Sequence, residues 1–217
     1  MKNNLFKLTL PAVAMMLAAS AYAVPTLTIT DGAGNTTGAL TAPGNGQISF
    51  NGVVGDWDVN ILSALSFPVL GTPSKPNIDV GGQDHYAPGS GGAGLGGNVL
   101  TITFTVDGFV NVNGTVNASI GGFQGNGFLT FNTLANGNPL TASGVVPSGG
   151  FANSQSAGLS NLTGTLKEVI TLTANGPEFV SFDANLETVP DSGMTLVLLG
   201  SSLTVLGLFA RSRKVVA

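Results

Sequence analysis

The chain has no cysteine, one histidine and very little charge: 8% of its 217 residues are charged, and only seven are basic. Without cysteine there is no disulfide scaffold, no thiol nucleophile and no zinc–thiolate site. One histidine without cysteine also excludes the commoner zinc centres. Seven lysines and arginines cannot build the basic stripe that nucleic acid requires, so no nucleic-acid partner is expected. The 32 glycines are about twice the usual share of roughly 7%. They follow no G-X-Y period, which excludes collagen. No P-loop and no G-x-S-x-G elbow is present.

The charge that exists is unevenly placed. Five of the seven bases lie in the first or last seven residues. The N-terminus reads MKNNLFK, then LTLPAVAMMLAAS, then Ala21-Tyr22-Ala23. A basic start, a short apolar run and an A-x-A site are the parts of a secretory signal peptide, residues 1–23, cut after Ala23. At the other end, Met194 to Ala210 carries no charge and Arg211, Arg213 and Lys214 follow at once. At about 1.5 Å per residue this segment spans roughly 25 Å, the short end of what a transmembrane helix needs. The basic cluster keeps that end cytoplasmic, so the body is on the outer side. Between the two ends, two lysines face ten acids, a net charge of −8.

Val189-Pro190-Asp191-Ser192-Gly193, followed by the apolar segment and Arg211, Arg213 and Lys214, resembles the VPDSG-CTERM sorting signal, a variant of the PEP-CTERM signals of Gram-negative bacteria. The resemblance covers residues 189–217. It implies recognition by an exosortase, transient residence in the inner membrane, and delivery to the cell surface or an exopolysaccharide matrix. Pro190 has a physical role of its own: it holds the preceding residue extended and cannot continue a helix, which suits either a processing site or a spacer.

The body, residues 24–188, reads as all-β. Leu100, Ile102, Phe104 and Val106 alternate with Thr101, Thr103, Thr105 and Asp107, the period of a strand buried on one face. A similar alternation follows Asp107-Gly108, a strong hairpin signal, so residues 98–121 are expected to form a long hairpin. Further strands are expected near 26–30, 47–51, 57–65, 128–134, 165–174 and 178–186. Many short strands separated by Gly and Asn turns suggest an antiparallel β-sandwich, with a parallel β-helix as the alternative. Gly71 to Gly97 is expected to be a long loop with a short edge strand at Ile78–Val80, and 135–161 another excursion.

Candidate chemistry is sparse. Gly92 to Gly97 matches G-x-G-x-x-G but lacks the strand before and helix after that a phosphate site needs. Trp57 shares parity with Val59 and Ile61, as a core anchor does; with Tyr86 it is also the candidate sugar-stacking pair. His85 sits with no evident nucleophile near it. Asp31, Asn35, Asp56, Asp58, Asp79 and Asp84 offer hard oxygens, but not in a calcium-loop pattern. Glu168 with Asp183 or Glu178 would serve as glycosidase carboxylates if the fold set them around a cleft. No metal, cofactor or catalytic residue is assigned. The expected function is a non-enzymatic structural or adhesive protein of the surface or matrix, with a carbohydrate-binding module and then an extracellular hydrolase as alternatives.

Overall fold

The computed structural model describes residues 24–42, 44–89 and 97–189, and contains no helix among them. The expected signal peptide, Gly92 to Gly96 of the glycine motif, Pro190 to Gly193 of the expected sorting motif, the 194–210 segment and the basic cluster lie outside the described residues. Eight strands are present: β1 (Thr26–Asp31), β2 (Leu40–Thr41), β3 (Gln47–Val54), β4 (Trp57–Leu65), β5 (Asn77–Tyr86), β6 (Val99–Ala135), β7 (Asn138–Ala174) and β8 (Glu178–Val189). Every ladder is antiparallel.

β6 and β7 are each 37 residues long, far beyond the usual five or six. Their register explains the length, because each passes through two sheets. Sheet I holds β2, β1, residues 99–106 of β6, 166–174 of β7, 127–135 of β6 and 138–147 of β7. Sheet II holds β3, β4, β5, β8, residues 114–124 of β6 and 149–159 of β7. Strands that switch sheets at bulges or bends are how two sheets share continuous chain at a corner.

The core lies between these sheets as one apolar cluster. Leu27, Ile102, Phe104 and Ile170 from sheet I, and Ile61, Val80 and Leu186 from sheet II, are among its fully buried members. The outer face of sheet I is a lattice of threonines, with Thr28, Thr30, Thr101, Thr103, Thr171 and Thr130 on facing positions of adjacent strands. β-Branched residues suit such a half-exposed pleat.

Three expectations are corrected. Asp107-Gly108 is no hairpin turn: β6 continues through it, with register shifts from Val106 to Gly114 as it leaves sheet I for sheet II. The positive φ of Gly108, +85°, serves a bend as readily as a turn. Residues 77–86 are a full strand inside sheet II rather than part of a loop, and 138–161 belongs to β7 rather than to an excursion.

Candidate functional site

The outward face of sheet II carries a regular grid. Gly81 on β5, Asp183 on β8 and Gly121 on β6 stand side by side in one row. The next row is Asp79, Asn185 and Ser119, and the row on the other side is Gln83, Ser181 and Phe123. Because side chains alternate along a strand, all nine positions share one face. Seven of them, all but Asp79 and Phe123, join Leu62 and Ser63 of β4 and Ala152 and Ser154 of β7 in lining an open trough of about 810 Å³ that runs across five strands.

The floor of the trough is built from two Gly-Gly pairs. In each pair the inward glycine is required by the fold. A Cβ on Gly82 would stand 2.8 Å from the Phe182 ring, and one on Gly122 would stand 2.0 Å from the Ser181 carbonyl oxygen. The outward glycines are not required. Gly81 and Gly121 have no positive φ, and a Cβ on either would meet nothing nearer than 3.6 Å. Glycine inside a strand weakens it, and where nothing local demands it, it marks close approach by a ligand or another backbone.

Asp183 is exposed at the centre of this floor, and Asp79 is half-buried on the neighbouring strand. Burial, then the charge of Asp183 and a hydrogen bond with it, push the Asp79 carboxyl up to about 6. A like charge this near disfavours the ionised form of the more buried partner. At one end of the same face Phe123 and Phe179 are 47% and 46% exposed. They sit on adjacent strands in diagonal register, an apolar rim beside a polar floor.

The residues singled out in the sequence are placed otherwise. Trp57 and Tyr86 face each other across β4 and β5 on the inner side, with ring centroids 5.0 Å apart. Trp57 is fully buried and its Nε1 donates to the Gly97 carbonyl at 3.0 Å; Tyr86 is 7% exposed. Neither ring presents a face to a sugar. Burial, and then Asp56, push the Tyr86 hydroxyl up. His85 lies on strand β5, exposed, between Asp58 and Phe179.

Of the candidate carboxylate partners, Glu168 and Glu178 are buried, and Asp183 is exposed on the outer face of sheet II. Glu168 points into the core from sheet I, opposite Phe104 and Thr133, with both oxygens lacking a hydrogen bond. Burial, then the charges of Asp79 and Asp183, push it well above the usual carboxylate range. Glu178 is buried at the start of β8 and is also pushed up by burial. Asp84 is buried on the inner face, accepts from the Asn60 amide at 3.1 Å, and is raised by burial to about 7. Asp31 holds a turn. It accepts from the amides of Ala33, Asn35 and Gly97 and from the Asn35 side chain. Burial opposes its charge, but these four donors outweigh it and keep its pKa below the ordinary value. Among the described residues no three His, Asp or Glu side chains are grouped to hold a metal.

The Asp79–Asp183 pair and the two rim phenylalanines are not evident from the sequence alone. The local signal is parity: Phe179 shares that of Ser181 and Asp183, against Val180, Phe182 and Ala184, and Phe123 shares that of Ser119 and Gly121, against Ala118 and Ile120.

No protein-family model and no curated protein sequence matches the chain. Among solved structures it is similar to TmCBM61 in complex with beta-1,4-galactotriose (TM-score 0.34, 9% identity, covering 61% of this chain and 88% of that one). It is also similar to the K3 cleaved adhesin domain of Lys-gingipain from Porphyromonas gingivalis (0.34, 9%, 51% and 74%). A third is the carbohydrate-binding module CBM6cm-2 of Cellvibrio mixtus lichenase 5A in complex with cellotriose (0.29, 12%, 62% and 88%). At these values the likeness does not extend to individual residues.

Proposed function

We propose that the chain is an exported, non-enzymatic β-sandwich protein of the cell surface or extracellular matrix that adheres by holding a polysaccharide chain in the trough of sheet II. The observation that carries this reading is the pair of outward glycines, Gly81 and Gly121, which the fold does not need and which keep the floor open on either side of Asp183. Around them are short hydroxyl and amide side chains, two acceptor carboxylates and an apolar rim, which match the donors, acceptors and CH faces of a sugar. Four strand spacings of about 4.8 Å make the trough roughly 19 Å long, room for several sugar units end to end.

Binding is favoured over hydrolysis by the placement of the carboxyls. Asp79 and Asp183 rise from one face of one sheet as diagonal neighbours, whereas glycosidase carboxylates flank the scissile bond from either side. Export by the N-terminal segment, exosortase processing at Val189 to Gly193, transient inner-membrane residence and association with exopolysaccharide are part of the same proposal, and rest on the sequence.

The test is binding of the purified protein to immobilised neutral polysaccharides and to the producing cell's own exopolysaccharide, beside Gly121→Val. Binding by the parent protein, lost in a folded Gly121→Val, is the expected result. Equal binding by both, or none by either, overturns the reading.

A further inference from the structure

The segment from Gly108 to Leu166 contains no charged residue, 59 positions in a domain of net charge −8. It includes all of β7 that forms sheet edges. β7 borders sheet I through 138–147 and sheet II through 149–159, and the two edges are finished differently.

The sheet I edge is guarded. Pro139 and Pro147 remove backbone donors from it. The Ala142 amide donates to Gln155 Oε1 at 3.0 Å, and the Ser143 carbonyl accepts from Asn153 Nδ2 at 3.5 Å. The opposite edge of sheet II, β3, is flanked by the β1–β2 segment: Asn35, Thr36, Thr37 and Leu40 line a hollow together with Phe50 and Val53.

The 149–159 edge has none of this. Among the described residues only β6 pairs with it, and no side chain meets its outward backbone groups. It holds no proline, no lysine and no acid. These are the devices by which edges are kept from pairing, and an extended edge without them is a template for another strand. Electrostatics select the occupant. Two copies of a domain with charge −8 repel over most of their surfaces, and this uncharged edge is where they meet without like charges opposed.

We propose that residues 149–159 pair antiparallel with the same segment of a second copy, joining two copies of sheet II into one sheet through a twofold axis. Such an axis stands perpendicular to the sheet, so outward faces match outward faces and the axis falls on a residue, near Ser154. The contact is isologous and closes at the dimer. It also lays the two troughs end to end on one side of the joined sheet.

The chain's lack of cysteine makes the test direct. Single cysteines placed in turn from 152 to 156 in the full chain, held in mild detergent, scan the axis. The residue on the axis faces its own copy at the distance a disulfide spans. The expected result is a covalent dimer on mild oxidation at one or two of these positions and none with Asn51→Cys on β3. Light scattering should give a dimer mass for the parent and a single-chain mass for folded Ser156→Lys. A single-chain mass for the parent at every concentration, cross-linking equally efficient at Asn51, or an intact dimer in Ser156→Lys overturns the proposal.

Discussion

Asp79 and Asp183 stand in diagonal register on adjacent strands of sheet II, and the charge of Asp183 at the floor of the open trough helps hold the Asp79 carboxyl up at about 6. The partner charge and the burial act in the same direction on Asp79. In Asp183→Asn the like charge is gone, so the Asp79 carboxyl should titrate below 6, closer to its ordinary value of 3.8. Carbon-detected NMR titration of the carboxyl reads this directly. An unmoved Asp79 in the variant would show that burial alone sets it.

The buried acids make stability depend on pH with a definite sign. Asp84, raised from 3.8 to about 7, holds its proton in the folded state after the unfolded chain has released it. Its favourable contribution is therefore complete below about pH 4 and lost as pH rises to about 7. Glu168 and Asp79 act in the same direction. Asp31 acts in the opposite one, its contribution being present above its ordinary pKa and lost as acid protonates it. The melting temperature should fall between pH 4 and pH 7. Asp84→Asn should be the more stable protein at pH 7 and lose that advantage near pH 4. Calorimetry across this range checks both.

Neighbouring glycines should respond in opposite ways. Gly121→Ala places its Cβ in ordinary contact at 3.6 Å, so the variant should gain about 0.5–1 kcal/mol. Gly122→Ala forces a residue with a side chain to φ +154° and sets its Cβ against the Ser181 carbonyl. The backbone strain alone costs about 1–3 kcal/mol. Urea unfolding of the two variants separates them; equal stabilities would contradict the floor geometry.

Aromatic substitutions distinguish the core from the rim. Trp57→Ala should cost about 3–5 kcal/mol by opening a cavity. Phe123→Ala and Phe179→Ala, on a solvated face, should change stability by less than about 0.5 kcal/mol. In a glycan-binding assay the two phenylalanine variants should weaken binding while still folded.

Much of the sandwich is legible in the sequence because burial is one-sided. Residues 100–106, 57–61 and 178–186 alternate clearly, since one face meets the core and the other water. The signal fails where side chains vanish or where nothing is buried. Gly81 and Gly82 leave β5 without contrast at its midpoint, so a central strand resembles a loop. Residues 149–160 edge the sheet with only Phe151 and Leu159 packed against the core, too few and too far apart to show a period. Asp107-Gly108 encodes a positive φ, but not whether the chain reverses there or turns a corner. The site is less legible still, because Asp79 and Asp183 are 104 positions apart and meet only through the β5–β8 register. Trp57 is the one tryptophan, and its parity with Val59 and Ile61 places it inside.

β8 carries Ser181, Asp183 and Asn185 of the trough and ends at Val189, the first residue of the proposed sorting segment. It is held on both sides, by ten paired positions with β5 and ten with β6. If the proposed function holds, a pull between a bound polysaccharide and an anchored tail would run lengthwise along this single strand. Both flanking ladders would then be loaded in shear, every rung at once, instead of being unzipped one by one. The strand that touches the ligand would be the mechanical axle of the tether, and the domain would resist flow best when pulled from the end where its tail leaves.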